Sequence, residues 1–592
     1  MSPFRHRRGA ERPGQQPSQG AARVHAGSRA SRIARIVVAA VIVAIASLIA
    51  FWLPPASEPL AITSNVPAGV RGAIHIHTRR SDGTGTIDDV AAAAAKAGLK
   101  FVVITDHGDG TRQPEPPSYR QGVLCIDAAE ISTENGHVVA LGLTKTPYPL
   151  GGEGRDVIED IARLGGFSIV AHPGSPKPDL RWTEWSAPFD GIEWLNGDSE
   201  WRDETPANLL RSLLVYRFRP AETLGHLLDR PDPVMARWDA LTKRRRVVAV
   251  AGSDAHARVA LRSAPDPYDG SAALRLPGYE QVFRAFSIVV PRVRLSGDAT
   301  RDATLIVDEI RAGHVFSSID ALASPAAMTF TATSGTQKAS GGDVLAIEGP
   351  VEIHVASNAP GHSRISLLKD GRSIASSSDA MLEFTAPPEP AVYRAEISLD
   401  HAPGTPPVPW LVTNPIYVGR SEKESVAPAR RVATEFAVQY EGGAPAGWSV
   451  ETAPQAAGAI DVVRTIGGTQ LRWRYALGGA KQDHPYTALV MPAGPAFAAY
   501  DRIMFTGRAD KPMRVSVQVR EPEGARWARS VYLDDVPRDI TVFIDELTPR
   551  GVTAQRRPDV TRVQALLWVI ESTNTALGSS GQVWIDNVKY GR

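Results

Sequence analysis

The chemistry of this chain starts from two short strings: His75-Ile76-His77 followed by Ser81-Asp82-Gly83, and Gly252-Ser253-Asp254-Ala255-His256 far downstream. Each places two potential metal ligands two residues apart. On a β-strand, residues i and i+2 point to the same face. His75 and His77 are therefore expected to project into one pocket, and Asp254 and His256 likewise. Imidazole plus carboxylate is a donor set for a divalent transition metal. A lone His-x-His is more often a surface or core feature than a ligand pair. Two such pairs, each behind an apolar run, are a stronger signal.

Those apolar runs are the elements that must position the ligands. Gly72-Ala73-Ile74 leads into His75, and Leu99 to Ile104 leads into Thr105-Asp106-His107. Val123 to Ile126 leads towards Glu130, Phe167 to Ala171 into His172-Pro173, and Val247 to Ala251 into Asp254. Short, near-continuous apolar runs bounded by turn residues predict buried parallel strands. Helical patterns lie between several of them. Ile87 to Ala97 opens with Asp88 and Asp89, and Arg155 to Leu164 stops at Gly165-Gly166. Strand–helix alternation predicts an α/β parallel sheet, open or closed. The candidate ligands then fall at the C-terminal strand ends, where barrel enzymes place their chemistry.

The chain has 592 residues, which exceeds one core and predicts two to four domains. Its formal net charge of +1 gives no global steering towards nucleic acid. The single cysteine, Cys125, excludes an intrachain disulfide and is expected to be buried. Ile36 to Leu53 is 18 residues without a charge, and Trp52 suits an interfacial position. Before it lie Arg5, Arg7, Arg8, Arg12, Arg23, Arg29, Arg32 and Arg35 against one acid, Glu11. That asymmetry predicts a single-pass anchor with a cytoplasmic N-terminus and extracytoplasmic catalytic and β domains. A cleaved signal peptide is the rival reading.

The expected organisation runs in seven parts. These are a disordered basic tail (1–35), the anchor (36–53), a linker (54–68), a ligand-rich α/β region (69–325), an immunoglobulin-like β-sandwich (326–420), a second linker (421–433) and a C-terminal jelly roll (434–592). The β modules are read from short alternating runs such as Val351-Glu352-Ile353-His354-Val355 and Arg514 to Arg520.

The titratable residues of the ligand-rich region are His75, His77, Asp82, His107, Glu130, His137, His172, Asp254 and His256. They suffice for two or three ions with bridging carboxylates. Such ions lower the pKa of a shared hydroxide and stabilise anionic transition states, which suits ester hydrolysis. Asp106 and Glu193 are expected in supporting positions behind the ligands. Arg79 and Arg80 are candidates to meet an anionic substrate. His226, His314, His354, His362, His401 and His484 lack ligand-like neighbours and read as structural or surface residues.

These strings, in this order, resemble the PHP (polymerase and histidinol phosphatase) metallohydrolases. The matching pieces are His75-x-His77-x-x-x-Ser81-Asp82-Gly83, Thr105-Asp106-His107, Glu130, His172-Pro173 and Ser253-Asp254-x-His256. The segment from Glu130 to His137 is similar to the CehA/McbA-like branch. The resemblance implies a distorted (β/α)7 barrel holding two or three divalent ions (manganese, zinc or iron). It implies one ion on His75, His77, Glu130 and Asp254. A second would lie on Glu130, His137 and His172, and a third on Asp82, His107 and His256. The catalytic group would be a metal-bridging hydroxide held by Glu130, Asp254 and His75.

Two reaction classes follow. One is a phosphoesterase acting on a small-molecule or surface-polymer ester. The alternative is a carboxylic or carbamate esterase, as in the CehA-like branch, with Trp182, Trp185, Trp194 and Trp201 as pocket walls and Arg181 and Arg202 arguing the other way. A third reading is a non-catalytic surface glycan-binding protein. The strings Asp501-Arg-Ile-Met-Phe-Thr-Gly-Arg508 and Trp584-Ile-Asp586-Asn-Val resemble jelly-roll carbohydrate-binding and galactose-binding-like domains, with Trp448, Trp473 or Trp527 available to stack on sugar rings. No nucleic-acid partner is expected.

Overall fold

The computed structural model describes residues 26–62, 66–260, 273–274, 276–420, 430–465, 468–479, 485–551 and 555–592. The basic stretch 1–25, residues 421–429 of the expected linker, and His484 lie outside the described residues.

The ligand-rich region closes into a barrel. Its strands are β1 (Val70–Ile76), β2 (Phe101–Ile104), β3 (Val123–Asp127), β4 (Ala129–Thr133), β5 (Gly136–Leu141), β6 (Phe167–Val170), β7 (Gly191–Asn196) and β8 (Val248–Ala255). β1 pairs in parallel with β2, and β2 with β3. β3 runs through Ala128 into β4, which pairs antiparallel with β5. β5 pairs antiparallel with β6. From β6 the ring continues in parallel through β7 and β8 and returns to β1. Only β5 runs against the rest. The Val- and Ile-rich strands β2 and β6 are buried along their whole length, as strands covered on both faces must be.

Helix Ile87–Lys96 fits the expected segment. Thr86 and Asp89 form a reciprocal capping box at its start, and Val90, Ala91 and Ala94 face the core. Helix Gly154–Arg163 buries Val157, Ile158 and Ile161 in the same way.

The barrel sheet does not stop at β1. Strand Ser287–Val290 pairs antiparallel with β1, then with Phe316–Ser318, which pairs with Leu411–Thr413. The ladder continues through Ala391–Leu399 to Ser363–Lys369. A four-stranded sheet, Gln337–Ser340, Met328–Ser334, Val351–Ser357 and Met381–Ala386, forms the other layer of the 326–420 segment. One hydrophobic core runs from Ile74 to Val418, so this sandwich and the barrel share an interior. The C-terminal segment has its own core between two six-stranded sheets.

Helix Ala26–Trp52 contains a stretch, Ser31–Trp52, with mean hydropathy 2.7 and none of it buried against the protein. It is long and apolar enough to cross a membrane. It begins ten residues before the expected Ile36. Residues 26–35 were expected to be disordered, but their alanines and arginines favour helix and the apolar helix continues back through them.

Candidate metal centre

Six of the eight strands of the ring, all but β3 and β7, contribute donors at one end of the barrel. His75 is the penultimate residue of β1, with His77 just beyond it. His107 follows β2, and His172 follows β6. Glu130 lies on β4 and Asp254 near the end of β8, with His256 beyond. His137 sits at the start of β5, the antiparallel strand, so its N-terminal end meets the C-terminal ends of its neighbours. All nine sequence-predicted donors lie in one cluster. They form four overlapping groups able to hold a cation: His77/Asp82/His107/His256, His75/His77/Asp254, His75/Glu130/His172 and His107/Glu130/His137.

The convergence is not made by plain i, i+2 alternation. His75 (φ 68°), His172 (φ 32°) and Asp254 (φ 46°) all adopt left-handed backbone conformations. Such conformations are uncommon for non-glycine residues and concentrate at functional sites. They turn side chains inward where an unbroken strand would alternate them.

Glu130 is the hub. Its Oε1 lies 2.8 Å from His137 Nδ1 and 2.9 Å from His172 Nε2. Its Oε2 lies 3.2 Å from His75 Nε2 and from His77 Nε2, and 3.3 Å from His107 Nδ1. Asp254 Oδ1 is 3.4 Å from both His75 Nε2 and His77 Nε2. His256 Nε2 is 3.1 Å from Asp82 Oδ2. Yet His75 Nε2, His77 Nε2, His107 Nδ1 and Glu130 Oε2 are buried without an aligned hydrogen-bond partner. Buried polar atoms normally find partners. Three imidazole nitrogens gathered around one carboxylate oxygen fit a cation between them.

The electrostatics follow from burial and crowding. Burial opposes protonation of His75, but Asp254, Glu193 and Glu130 outweigh it and hold its pKa well above the ordinary value. His77 is likewise opposed by burial and lifted to about 10 by Asp254 and Glu130. Burial pushes His107 down to about 4. Burial would raise Glu130 and Asp254, but the surrounding histidines hold both carboxyls well below the usual range.

A supporting layer stands behind the donors. Glu193 Oε1 accepts from His75 Nδ1 at 2.6 Å, leaving Nε2 to face the centre. Its Oε2 accepts from the His172 backbone N–H and from Asn196. Gly252 gives Glu193 its room, because a Cβ there would lie 1.9 Å from Glu193 Oε1. Asp106 accepts from Thr78 N–H, Thr78 Oγ1 and Ser81 Oγ, each at 2.7 Å, and so fixes the turn that presents Asp82. His172 Nδ1 lies 3.0 Å from the Leu180 carbonyl. Sequence reasoning named Ser253 within a motif but gave it no role; its hydroxyl donates to the His75 carbonyl at 2.7 Å. Sequence reasoning missed Tyr279, whose hydroxyl donates to the His77 carbonyl at 2.7 Å. Arg258, 3.1 Å from Asp82 Oδ2, was missed too, although it stands two residues after His256.

Other candidates fall elsewhere. Arg80 is engaged by Asp106, Asp127 and Glu115, while Arg79 donates to the Thr84 carbonyl. Trp182 and Trp194 are core residues, and among the four expected pocket walls only Trp201 lines the cavity beside Asp254 and His256. Arg202 is held by Asp198, and Arg181 by backbone carbonyls. His314 pairs with Glu309 and Asp343, and His362 stacks near His401. In the C-terminal domain, Trp473 and Trp527 are fully buried. The expectation that they stack on sugars from the surface is corrected: Leu471, Trp473 and Tyr475 share the inward face of one strand. Trp448 is half-buried and stacks on Trp568, 5.4 Å between ring centres.

No protein-family model matches the chain. Two solved structures of the family 11 carbohydrate-binding module of Clostridium thermocellum match it in part. One, from cellulosomal cellulase Lic26A-Cel5E, is 15% identical with a TM-score of 0.23, over 27% of this chain and 97% of that one. The other, in complex with a beta-1,3-1,4-mixed-linked tetrasaccharide, is 14% identical with a TM-score of 0.23, over 26% and 94%. In sequence, the chain is 30% identical over 116 residues to the uncharacterized protein MJ1587 of Methanocaldococcus jannaschii, covering 17% of this chain and 67% of that protein. Through that segment the chain belongs to the same family as the uncharacterized protein MJ1587.

Proposed function

We propose that this chain is a membrane-tethered, metal-dependent hydrolase of ester bonds, with phosphoesters as the first substrate class. The observation that carries the reading is the set of four orphaned, buried donor atoms, His75 Nε2, His77 Nε2, His107 Nδ1 and Glu130 Oε2, inside a cluster of nine. The donor set of imidazoles and carboxylates suits manganese, zinc or iron. Bound divalent ions would supply Lewis acidity towards an ester and a water activated near neutral pH. The protein's own part is placement. Glu193 holds His75 in the required tautomer, Asp106 holds the Asp82 turn, and burial of His75, His77 and Glu130 keeps bulk water away. Access is from the side of Asp82, His107, His137 and His256, which are partly exposed.

A carboxylic or carbamate ester is the second substrate class. It is favoured by the apolar walls beside Asp254 and His256, where Trp201, Leu224 and Phe286 stand and Arg258 is the bordering cation. For a non-catalytic glycan role, the specific support is a groove of about 320 Å³ on the C-terminal domain. Glu441, Thr506, Asp539 and Asn587 there offer partners for sugar hydroxyls.

The test combines metal analysis of the purified full chain with turnover of an aryl phosphate and an aryl ester. Metal should co-purify, and one of the two substrates should be hydrolysed. His75→Ala combined with His77→Ala should remove both metal and turnover while circular dichroism stays unchanged. Retained turnover in that variant would refute the assignment. Retention of polysaccharide by a chain without metal or turnover would favour the glycan reading.

A further inference from the structure

A cavity of about 300 Å³ opens beside Asp254 and His256; Trp201, Leu213, Tyr216, Leu224 and Phe286 give it much of its apolar wall, with Asp198, Glu200, Thr223 and Arg258 among its polar lining. One wall is helix Pro206–Tyr216, which Thr205 caps. Leu209, Leu213 and Tyr216, at helical spacing, line the cavity. The outer side of the same helix is apolar too. Leu210 is 60% exposed and Leu214 46%, and Phe218 just beyond the helix is 58% exposed. So many large apolar side chains within one short stretch of water-facing surface call for a covering partner.

What covers them is indicated by their neighbour. The apolar N-terminal helix ends at Trp52, and Arg211 of the Leu-rich helix reaches the Trp52 carbonyl at 3.5 Å. Arg219, past its end, donates to the Pro54 carbonyl. If Ser31–Trp52 spans a bilayer, these contacts put the Leu-rich helix at the level where hydrocarbon meets headgroups. An amphipathic helix with basic residues at its margins suits that position. Arg211, Arg217 and Arg219 supply them, and side chains of this kind can keep their stems in apolar surroundings and their charge in the headgroup layer.

We propose that helix Pro206–Tyr216 and Phe218 rest in the membrane surface, and that the cavity behind them takes the hydrocarbon chain of an amphiphilic ester drawn from the bilayer. The ester bond would then lie at the Asp254 and His256 end, among the metal-binding groups. This deepens the hydrolase reading and names its substrate class. The occupant is a membrane lipid rather than a second protein chain, because the patch continues from a helix of membrane-spanning length.

The experiment uses the full chain in lipid nanodiscs. Cys125 is buried, so Leu210→Cys, Leu214→Cys and Phe218→Cys can each carry a single environment-sensitive fluorophore. Ser378→Cys, exposed on the 326–420 segment, is the control. The three labels should emit as in an apolar medium and be quenched by brominated lipid, while the control should do neither. A label that is shielded but not quenched by brominated lipid would mean a protein partner covers the face and would overturn the proposal. Emission as in water would overturn it too. Calorimetric titration then compares octyl phosphate with methyl phosphate. Octyl phosphate should bind at least about tenfold tighter, since each buried methylene adds to affinity. Equal affinities would overturn the proposal. Absence of metal and turnover with both of these results intact would instead sink the hydrolase and leave the membrane-facing cavity standing.

Discussion

At the scale of the residue, the proposed metal centre requires each imidazole to present the correct nitrogen, and Glu193 does this for His75. Glu193→Gln keeps the size but replaces a charged acceptor with a neutral amide that can present its N–H₂ to His75. We expect metal affinity to fall by about 10- to 100-fold with little change in fold, as for other groups that orient a ligand. Competition against a chromogenic chelator measures this. The raised pKa of His77, about 10, sets a pH dependence. In the metal-free chain the protonated imidazole favours the fold fully below its ordinary pKa of 6.5 and loses that contribution as pH rises through about 10. A metal needs the imidazole neutral, so protons and metal compete in this window. Metal affinity should therefore climb with pH between 6.5 and 9, by about tenfold per unit for each proton displaced. A flat profile over that range would contradict the assignment of His77 as a ligand.

At the scale of the element, the barrel strands deliver these residues through their ends, and this much was legible. Val- and Ile-rich runs leading into His75, His107, His172 and Asp254 mark both the strand and its functional terminus. The manner of delivery was not legible. The left-handed φ of His75, His172 and Asp254 is imposed by the closed ring and the contacts around it, and local residue preference opposes it. Nothing local announces that β5 runs backwards and so brings His137 to the other donors. The burial of Trp473 had a readable signal that was overlooked. It alternates with Arg472 and Arg474, which mark the outer face. Gly252 shows how tightly an element and a side chain can be matched. Gly252→Ala would set a Cβ against Glu193 Oε1, and the carboxylate must move. We expect loss of metal binding comparable to Glu193→Gln, with destabilisation of about 1–3 kcal/mol from overpacking, read by urea unfolding.

At the scale of the whole molecule, the C-terminal domain is bolted to the barrel behind the site. Arg514 donates to Asp160 Oδ2 at 2.8 Å and to the Asp156 carbonyl at 2.9 Å, and it lies 3.2 Å from Asp156 Oδ1. Arg529 joins Asp156 and Glu159. Arg550 pairs with Glu134 in the turn between β4 and β5, the hairpin that carries Glu130 and His137. Asp156 and Asp160 are 2% and 1% exposed, so their charges depend on these guanidinium groups. A buried ion pair adds little net stability against an apolar replacement, but removing one partner strands the other's charge. Arg514→Ala should therefore cost about 3–5 kcal/mol. That loss should fall on the docking of the two bodies, since the C-terminal core is separate from the barrel core. Thermal unfolding of the full chain should split from one transition into two, and metal affinity should weaken as the hairpin loses its backing. A single unshifted transition would mean that contacts other than those of Arg514 hold the C-terminal domain against the barrel.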